Sequence, residues 1–281
     1  MNNISVVMSV YNAEDTIAET IESVLKQSFR DFEFIIVHDG SVDNIHAITG
    51  FCNDKRIRLI DNNSHDYIQS LNWGIKASRG KYIARIAAND IMHIDRLKLQ
   101  HSIMEEFPDI TVCSCWETVF GKQIPKRMVE QKLSGFIEWL PAELLLNDLD
   151  IHPVYMIRRS FITKHHLLYE NCGYAEDYKF WIDIARLNGG FYIDSQPLVY
   201  RRVSHTKISK ERKDEQLQSI SKIKGEILHF LSNKYSEKYP ALKALYNSYY
   251  ELLAQELISE NDIFRLFHSL FMRNKDIFKN L

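Results

Sequence analysis

Across the first hundred residues, short apolar runs alternate with amphipathic helical patterns, and this narrows the fold more than any other feature. Residues 4–10 (ISVVMSV) are almost all apolar or small, as a strand covered on both faces requires. Asn12 then reads as a helix cap, with Asp15 in the first turn complementing the helix dipole. Ile17, Ile21, Val24 and Leu25 follow at i, i+4, i+7 and i+8, one face of that helix. Residues 32–37 (FEFIIV) form a second strand, broken at Asp39-Gly40-Ser41, and residues 57–60 (IRLI) a third. A helix across Leu71–Ala77 ends with Gly80 in a C′ position, residues 82–86 (YIARI) form a fourth strand, and a helix follows from Asp95 to Phe107.

Strand–helix–strand repetition predicts an α/β fold with a mostly parallel sheet flanked by helices. Right-handed crossovers bring the C-terminal ends of parallel strands to one edge, where open sheets bind ligands. Asn12, Asp39 and the pair Asn89-Asp90 each lie just past a strand end, so they are expected to converge on one crevice. Residues 113–205 are less regular, and helical periodicity returns in 217–230, 241–258 and 262–271.

Several classes fall away. A formal charge of −2 gives no global field for nucleic acid or an anionic surface, so phosphate binding must be local. The first loop, SVYNAED, has neither the G-x-G-x-x-G of a dinucleotide oxidoreductase nor the Gly-rich loop of a nucleotidyltransferase, and no P-loop occurs. Cys52, Cys113, Cys115 and Cys172 show no ligand spacing, no run approaches a membrane span, and no signal-peptide pattern opens the chain. A cytoplasmic protein is expected.

The segments VVMSVYNAEDTIAETIESVLKQSFRDFEFIIVHDGSVDN, LNWGIKASRGKYIARIAAND and IDRLKLQ, followed by IHPVYMIRRSF, GYAEDYKFWIDIARL and PLVYRRVSHTKIS, resemble the family 2 glycosyltransferases of GT-A fold. The resemblance covers residues 1–210 and leaves 211–281 as a C-terminal helical extension; within it, 1–107 would be the nucleotide-sugar-binding half and 108–210 the acceptor side. It implies transfer of a hexosyl or N-acetylhexosaminyl group from a nucleotide sugar, UDP-linked, with inversion at the anomeric carbon. The acceptor it implies is a saccharide or lipid-linked saccharide, in bacterial surface polysaccharide or lipopolysaccharide assembly.

Carried over residue by residue, the resemblance implies that Ser9, Tyr11 and Asn12 line the base and ribose pocket. Asp39 would contact the base, Arg85 would sit beside the phosphates, and Asp90 would belong to the same donor site. Taken alone, Asp39-Gly40 reads first as an ordinary turn. The first of the family's two acids before the glycine is replaced by His38.

The metal motif departs further: the family's D-x-D-D reads here Ala87-Ala88-Asn89-Asp90. The implied ligands of Mn²⁺ or Mg²⁺ are Asn89, Asp90 and, near the end, His205. An amide brings no charge, and a unit charge pair ~4 Å apart is worth roughly 4 kcal/mol at an effective dielectric near 20. Three readings stand open: metal held weakly through the donor's diphosphate, metal-independent turnover, or a lost activity that leaves a sugar-nucleotide or glycan-binding protein.

In the AED-x-x-x-W setting, Asp177 matches the general base that deprotonates the acceptor hydroxyl, and Glu176 the acid beside it. Without the resemblance, Asp177 is a dipole partner for the helix FWIDIARL and Trp181 a core residue. His152-Pro153 and Arg158-Arg159 match family positions too; the arginines read either as a solvent-facing strand-end pair or as a phosphate contact. Residues 262–279 form a basic amphipathic pattern, with Ile263, Phe264, Phe267, Leu270 and Phe271 on one side. It suits packing within the protein or homodimer formation, or else peripheral contact with the cytosolic face of a membrane.

Overall fold

The computed structural model describes residues 3–38, 40, 50, 53–62, 65–122, 124–129, 133–146, 154–203 and 210–279. The chain forms two compact units: Met1–Phe136, Ile151–Glu170 and Gly190–Lys207 in the first, and Ile137–Asp150, Asn171–Gly189 and Ile208–Leu281 in the second. Elements are numbered along the chain.

The first unit is built on strand β1 (Ile4–Val10), which pairs in parallel with β2 (Phe32–His38) and with β4 (Tyr82–Arg85). Strand β3 (Ile57–Asp61) continues the parallel order outside β2. β1 thus has strand partners on both sides, and Ile4, Val6, Met8 and Val10 are buried in the main core. Beyond β4 the sheet changes character. Strand β9 (Met156–Arg158) runs antiparallel between β4 and β6 (Ile110–Gly121), and β10 (Gly190–Arg202) then pairs in parallel with β6. Short strands β5 (Ile91–Met92), β7 (Ile124–Val129) and β8 (Gly135–Phe136) complete a mixed sheet of order β3-β2-β1-β4-β9-β6-β10-β5, with β7 on β6 and β8 on β10.

Helices α1 (Glu14–Leu25), α2 (Tyr67–Ala77), α3 (Arg96–Glu106) and α5 (Arg159–His165) belong to the same unit. Three local expectations are corrected. Asn12 does not cap α1: the N-cap is Ala13, without a side-chain bond, and Asn12 takes a left-handed backbone at φ 46° that turns the chain out of β1. Helix α2 starts before Leu71, because Asp66 caps it by accepting from the Ile68 and Gln69 amides at 2.8 and 3.1 Å. Gly80 does not end that helix, which stops at an extended Ser78. A Cβ on Gly80 would lie 2.6 Å from the Ser5 amide nitrogen, so glycine here permits close approach to β1.

The second unit is helical, with α4 (Leu140–Glu143), α6 (Glu176–Arg186), α7 (Lys210–Ser236), α8 (Pro240–Ala254), α9 (Glu260–Arg273) and α10 (Lys275–Lys279). Helix α9 begins with a capping box between Ser259 and Asp262. Its Ile263, Phe264, Phe267 and Phe271 are 0–2% exposed, so the apolar face of the amphipathic pattern is occupied by the unit's own core. Trp139 packs edge-on against Phe271 at 5.4 Å and stacks on Phe278 at 6.0 Å. Among the described residues no helix is long and apolar enough to cross a membrane.

A buried acid ties the parallel strands together. Glu33 accepts from the Ser5 hydroxyl at 2.7 Å, the Arg79 amide at 2.8 Å and the Arg58 guanidinium at 2.6 Å. Burial alone would raise its pKa, but these donors outweigh it and hold the carboxyl below its ordinary value of 4.5. Because the folded pKa is depressed, this contribution is fully present above the unfolded value and is lost as pH falls through the folded one. Urea midpoints of the wild type should therefore drop below about pH 4.5 more steeply than those of Glu33→Gln. Parallel pH profiles for the two proteins would assign the acid sensitivity elsewhere.

Candidate functional site

At the C-terminal ends of β1 and β4 lies a cleft of about 270 Å³, lined by Ser9, Tyr11, Asn12, Ala13, Thr16, Tyr67, Leu71, Arg85 and residues 86–89. The left-handed turn at Asn12 carries Tyr11 and Asn12 to its rim, and Tyr11 is 58% exposed. The Ser9 hydroxyl oxygen is buried and has no hydrogen-bond partner among the described residues, a polar group that a ligand would satisfy.

The cleft's cationic group is Arg85, only 4% exposed. Its guanidinium donates to the hydroxyls of Tyr155 at 3.1 Å, Tyr169 at 3.3 Å and Tyr67, while the Tyr155 and Tyr169 hydroxyls bond each other. The rings of Tyr67 and Tyr169 also lie 5.7 and 5.3 Å from the guanidinium carbon, within cation–π range. Three phenols thus hold the guanidinium in one orientation on the cleft wall. Tyr169 is placed in turn by Asn72, which accepts from its amide and donates to its carbonyl at 2.8 and 2.9 Å.

Residues 87–90 are held by α1. Thr16 and Thr20 donate to the Ala88 carbonyl at 3.2 and 3.0 Å, Ser23 accepts from the Met92 amide at 3.0 Å, and Gln27 donates to the His93 carbonyl at 2.8 Å. These four recur at helical spacing, so a polar stripe of α1, continued by Gln27 just past its C-terminal end, clamps the loop. Asn89 is exposed on the cleft, whereas Asp90 is fully buried, and its carboxylate accepts from the Arg202 amide at 2.9 Å. Arg202 also donates to the Asn89 carbonyl at 3.0 Å and pairs with Glu19. Among the described residues no group of three or more His, Cys, Asp or Glu side chains could hold a metal ion. One neutral amide and one carboxylate already bonded inside the fold do not fit a tightly held hard cation.

In the second unit, Glu176 and Asp177 open α6, both half-buried, at the end where carboxylates complement the helix dipole. Helix α6 buries Tyr178, Phe180, Trp181, Ile182, Ile184 and Ala185, with Trp181 wholly buried as a core residue. The approach to this acid pair is unusual. Gly173 and Tyr174 are both left-handed, at φ 58° and 62°. Helix α7 pins them: Gln216 donates to the Tyr174 carbonyl at 2.8 Å, and the Arg212 guanidinium lies 5.6 Å from the Tyr174 ring.

Residues 5–167 match the model of a known family, Glycosyl transferase family 2. The chain belongs to that family. An uncharacterized glycosyltransferase of Haemophilus influenzae is 32% identical over 246 residues, which cover 82% of this chain and 75% of that protein. A second uncharacterized glycosyltransferase, from Rickettsia felis, is 31% identical over 194 residues; the match covers 69% of this chain but only 32% of that longer protein. Among solved structures, S. aureus TarS 1-349 in complex with UDP-GlcNAc superposes with a TM-score of 0.64 at 20% identity, covering 83% of this chain and 73% of that one. At that identity the likeness shows the fold, an α/β fold of GT-A type.

For a family 2 member the cleft is informative. Of the residues expected to bind the donor, Ser9, Tyr11, Asn12 and Arg85 come together, with the expected metal ligand Asn89 beside them, and Asp90 turns inward from them. Asp39, His152 and His205 lie outside the described residues. Arg158 and Arg159 do not line this cleft: Arg158 pairs with Tyr82 at the start of β4, the opposite edge of the sheet. Sequence reasoning missed Tyr67, Tyr155 and Tyr169, which come from three separate segments. It also missed the stripe Thr16, Thr20, Ser23 and Gln27, whose helical spacing was a readable signal.

Gly173 is the most restrictive position beside the acid pair. A Cβ there would meet the Ser219 hydroxyl at 2.5 Å on a backbone that L residues adopt at a cost. Gly173→Ala should destabilise the protein by about 1–3 kcal/mol in urea denaturation. Adding Ser219→Ala should recover the steric part and leave the backbone part, whereas no recovery would mean that α7 does not constrain this turn.

Proposed function

We infer that this chain transfers a sugar from a UDP-linked donor to a hydroxyl of a saccharide or lipid-linked acceptor, with inversion. What supports the donor half is the cleft itself: an unpartnered Ser9 hydroxyl, an aromatic rim at Tyr11 and a tyrosine-braced Arg85 beside one another at the C-terminal strand ends. That combination suits a nucleoside diphosphate, whose base and ribose need polar and aromatic contacts and whose phosphates need a fixed cation. TarS, of like fold, has been solved with UDP and with UDP-GlcNAc, which favours uridine and an N-acetylhexosamine.

Asp177 serves as general base in this reading, with Glu176 positioning it or the acceptor. A sugar hydroxyl is a poor nucleophile, so its proton passes to a carboxylate as its oxygen forms the bond to the anomeric carbon. The bond from that carbon to the donor phosphate breaks on the opposite face, and the electron pair leaves with the nucleoside diphosphate. Arg85 offsets the charge that grows there. Asn89 is the residue that would face a Mn²⁺ or Mg²⁺ ion on the diphosphate, and its uncharged amide would hold one only weakly.

Isothermal calorimetry with UDP, GDP and UDP-GlcNAc, run beside a transfer assay, tests this reading. Asp177→Asn should cut transfer by roughly 10²–10⁴-fold while leaving donor affinity within a few-fold. Turnover that survives the change would remove Asp177 from the mechanism. Asn89→Asp should increase the response of donor affinity to Mn²⁺, and an unchanged response would show that position 89 does not meet the diphosphate.

A second reading, a sugar-nucleotide-binding protein without turnover, draws on Ala87 and Asn89 in the metal motif and on the inward turn of Asp90. Donor binding with neither hydrolysis nor transfer, across a broad acceptor panel, would select it.

A further inference from the structure

The edge of the sheet opposite the cleft carries a second concavity. It is a groove of about 600 Å³ where β1 and β4 begin, lined by Asn3, Arg79, Lys81, Arg158, Arg159 and Lys164 among others. Five cations around one hollow stand out in a chain whose formal charge is −2. In folded proteins such clusters are normally interleaved with acids, and here one member is: Lys81 pairs with Glu105 at 2.6 Å. Asp31 lies close by, bonded to the Asn3 amide group.

The other four are different. Arg158 donates to the Ile110 and Met104 carbonyls at 3.0 and 2.9 Å and to the Tyr82 hydroxyl at 3.3 Å, and Arg159 donates to the Gly80 carbonyl. These acceptors are neutral, so they fix the guanidiniums without cancelling their charge. Arg79 and Lys164 are exposed, and among the described residues their side chains make no hydrogen bond or ion pair. The groove is therefore a rigid pair of arginines with two free cations at its rim, an arrangement suited to a phosphate group.

A neighbouring hollow of about 310 Å³ shares Arg159 and Thr163 with the groove; Ile75, Ile162, Leu167 and Leu168 form its aliphatic wall, beside the polar Lys76, Ser78 and His166. A cationic groove running into a hollow with an aliphatic wall matches an amphiphile. An inorganic phosphate would leave the hollow empty, and a nucleic acid strand offers it no hydrocarbon chain.

We propose that this edge of the first unit binds a phosphate-headed lipid at a membrane surface, with the headgroup among Arg79, Arg158, Arg159 and Lys164 and the start of the chain along Ile75, Ile162 and Leu167. The site is separate from the donor cleft and does not depend on what the cleft binds.

The test is co-sedimentation of the full chain with vesicles of phosphatidylcholine alone and of phosphatidylcholine with phosphatidylglycerol. The double variant Arg79→Glu/Lys164→Glu touches only exposed, unbonded side chains, and circular dichroism checks its fold. The wild type should partition onto the anionic vesicles and not the neutral ones, and the double variant should partition roughly thirty-fold more weakly or worse. Its UDP titration should match the wild type's, so a failure of the donor reading shows up separately from a failure here. Equal partitioning of variant and wild type would overturn the proposal. So would absence of binding to the anionic vesicles, or displacement from them by a single-stranded oligonucleotide at lower concentration than by soluble short-chain phosphatidylglycerol.

Discussion

The first unit is organised around a buried charge. Arg96 is wholly inaccessible, and removing a guanidinium from water costs several kcal/mol unless the fold returns equivalent contacts. It returns them for two of the three guanidinium nitrogens, Nη1 having no hydrogen-bond partner among the described residues, by bringing carbonyls from different strands to one place. The guanidinium donates to the Arg85 carbonyl at 2.8 Å and the Tyr155 carbonyl at 3.2 Å, and to Gln100, whose amide donates in turn to Cys113 and Val154, each at 2.9 Å. These acceptors lie at β4, β6 and the approach to β9, where the parallel half of the sheet meets its antiparallel continuation. One charged side chain with its glutamine therefore fixes the junction that parallel packing alone would not specify.

The altered metal motif lies close to that charge. Burial pushes Arg96 below the ordinary arginine value, and Asp90 is among the groups that pull it back up. Asp90 is turned inward, bonded to the end of β10 rather than presented to the cleft. Asn89, the neighbour left facing outward, carries no charge to offer a cation. What looks in sequence like partial decay of an acidic motif is, in three dimensions, a division of labour: the retained carboxylate serves the fold and the amide serves the surface. The cleft's positive charge comes instead from Arg85, and its orientation is set by phenols that add no opposing charge at neutral pH.

Legibility in the sequence followed the same physics. Strands β1, β2 and β4 were readable because parallel strands buried on both faces become apolar runs. Strands β6 and β10 are just as central, yet they carry Glu117, Asp194, Cys115 and Pro197. Each of those is accommodated locally: Glu117 by Arg201 at 2.8 Å, Pro197 by register shifts on either side of it. No periodicity survives such substitutions, so the region looked irregular. Positions just past strand ends, such as Asn12 and Asn89, were legible because topology alone puts them on one edge. The tyrosines around Arg85 were not, since nothing local links residues 67, 155 and 169 until the sheet has brought β4 and β9 side by side. Asn12 shows the limit of local rules: a residue type that commonly caps helices was used here for its tolerance of a left-handed backbone.

The two edges of the sheet differ in a way that a net charge conceals. At the C-terminal edge a single guanidinium is embedded among hydroxyls and aromatic rings, where low solvent exposure makes one charge effective over a short range. At the N-terminal edge several cations sit in the open, where each is screened and only their number makes a useful field. The first arrangement discriminates by geometry and suits a small ligand held in one pose. The second adds exposed cations to a fixed pair of arginines and suits a phosphate headgroup presented on an anionic surface. Both arise from the same strands, because a parallel sheet places its strand beginnings and strand ends on opposite sides of the core, and acids such as Glu33 and Glu117 are spent inside on Arg58 and Arg201 rather than left outside to neutralise either edge.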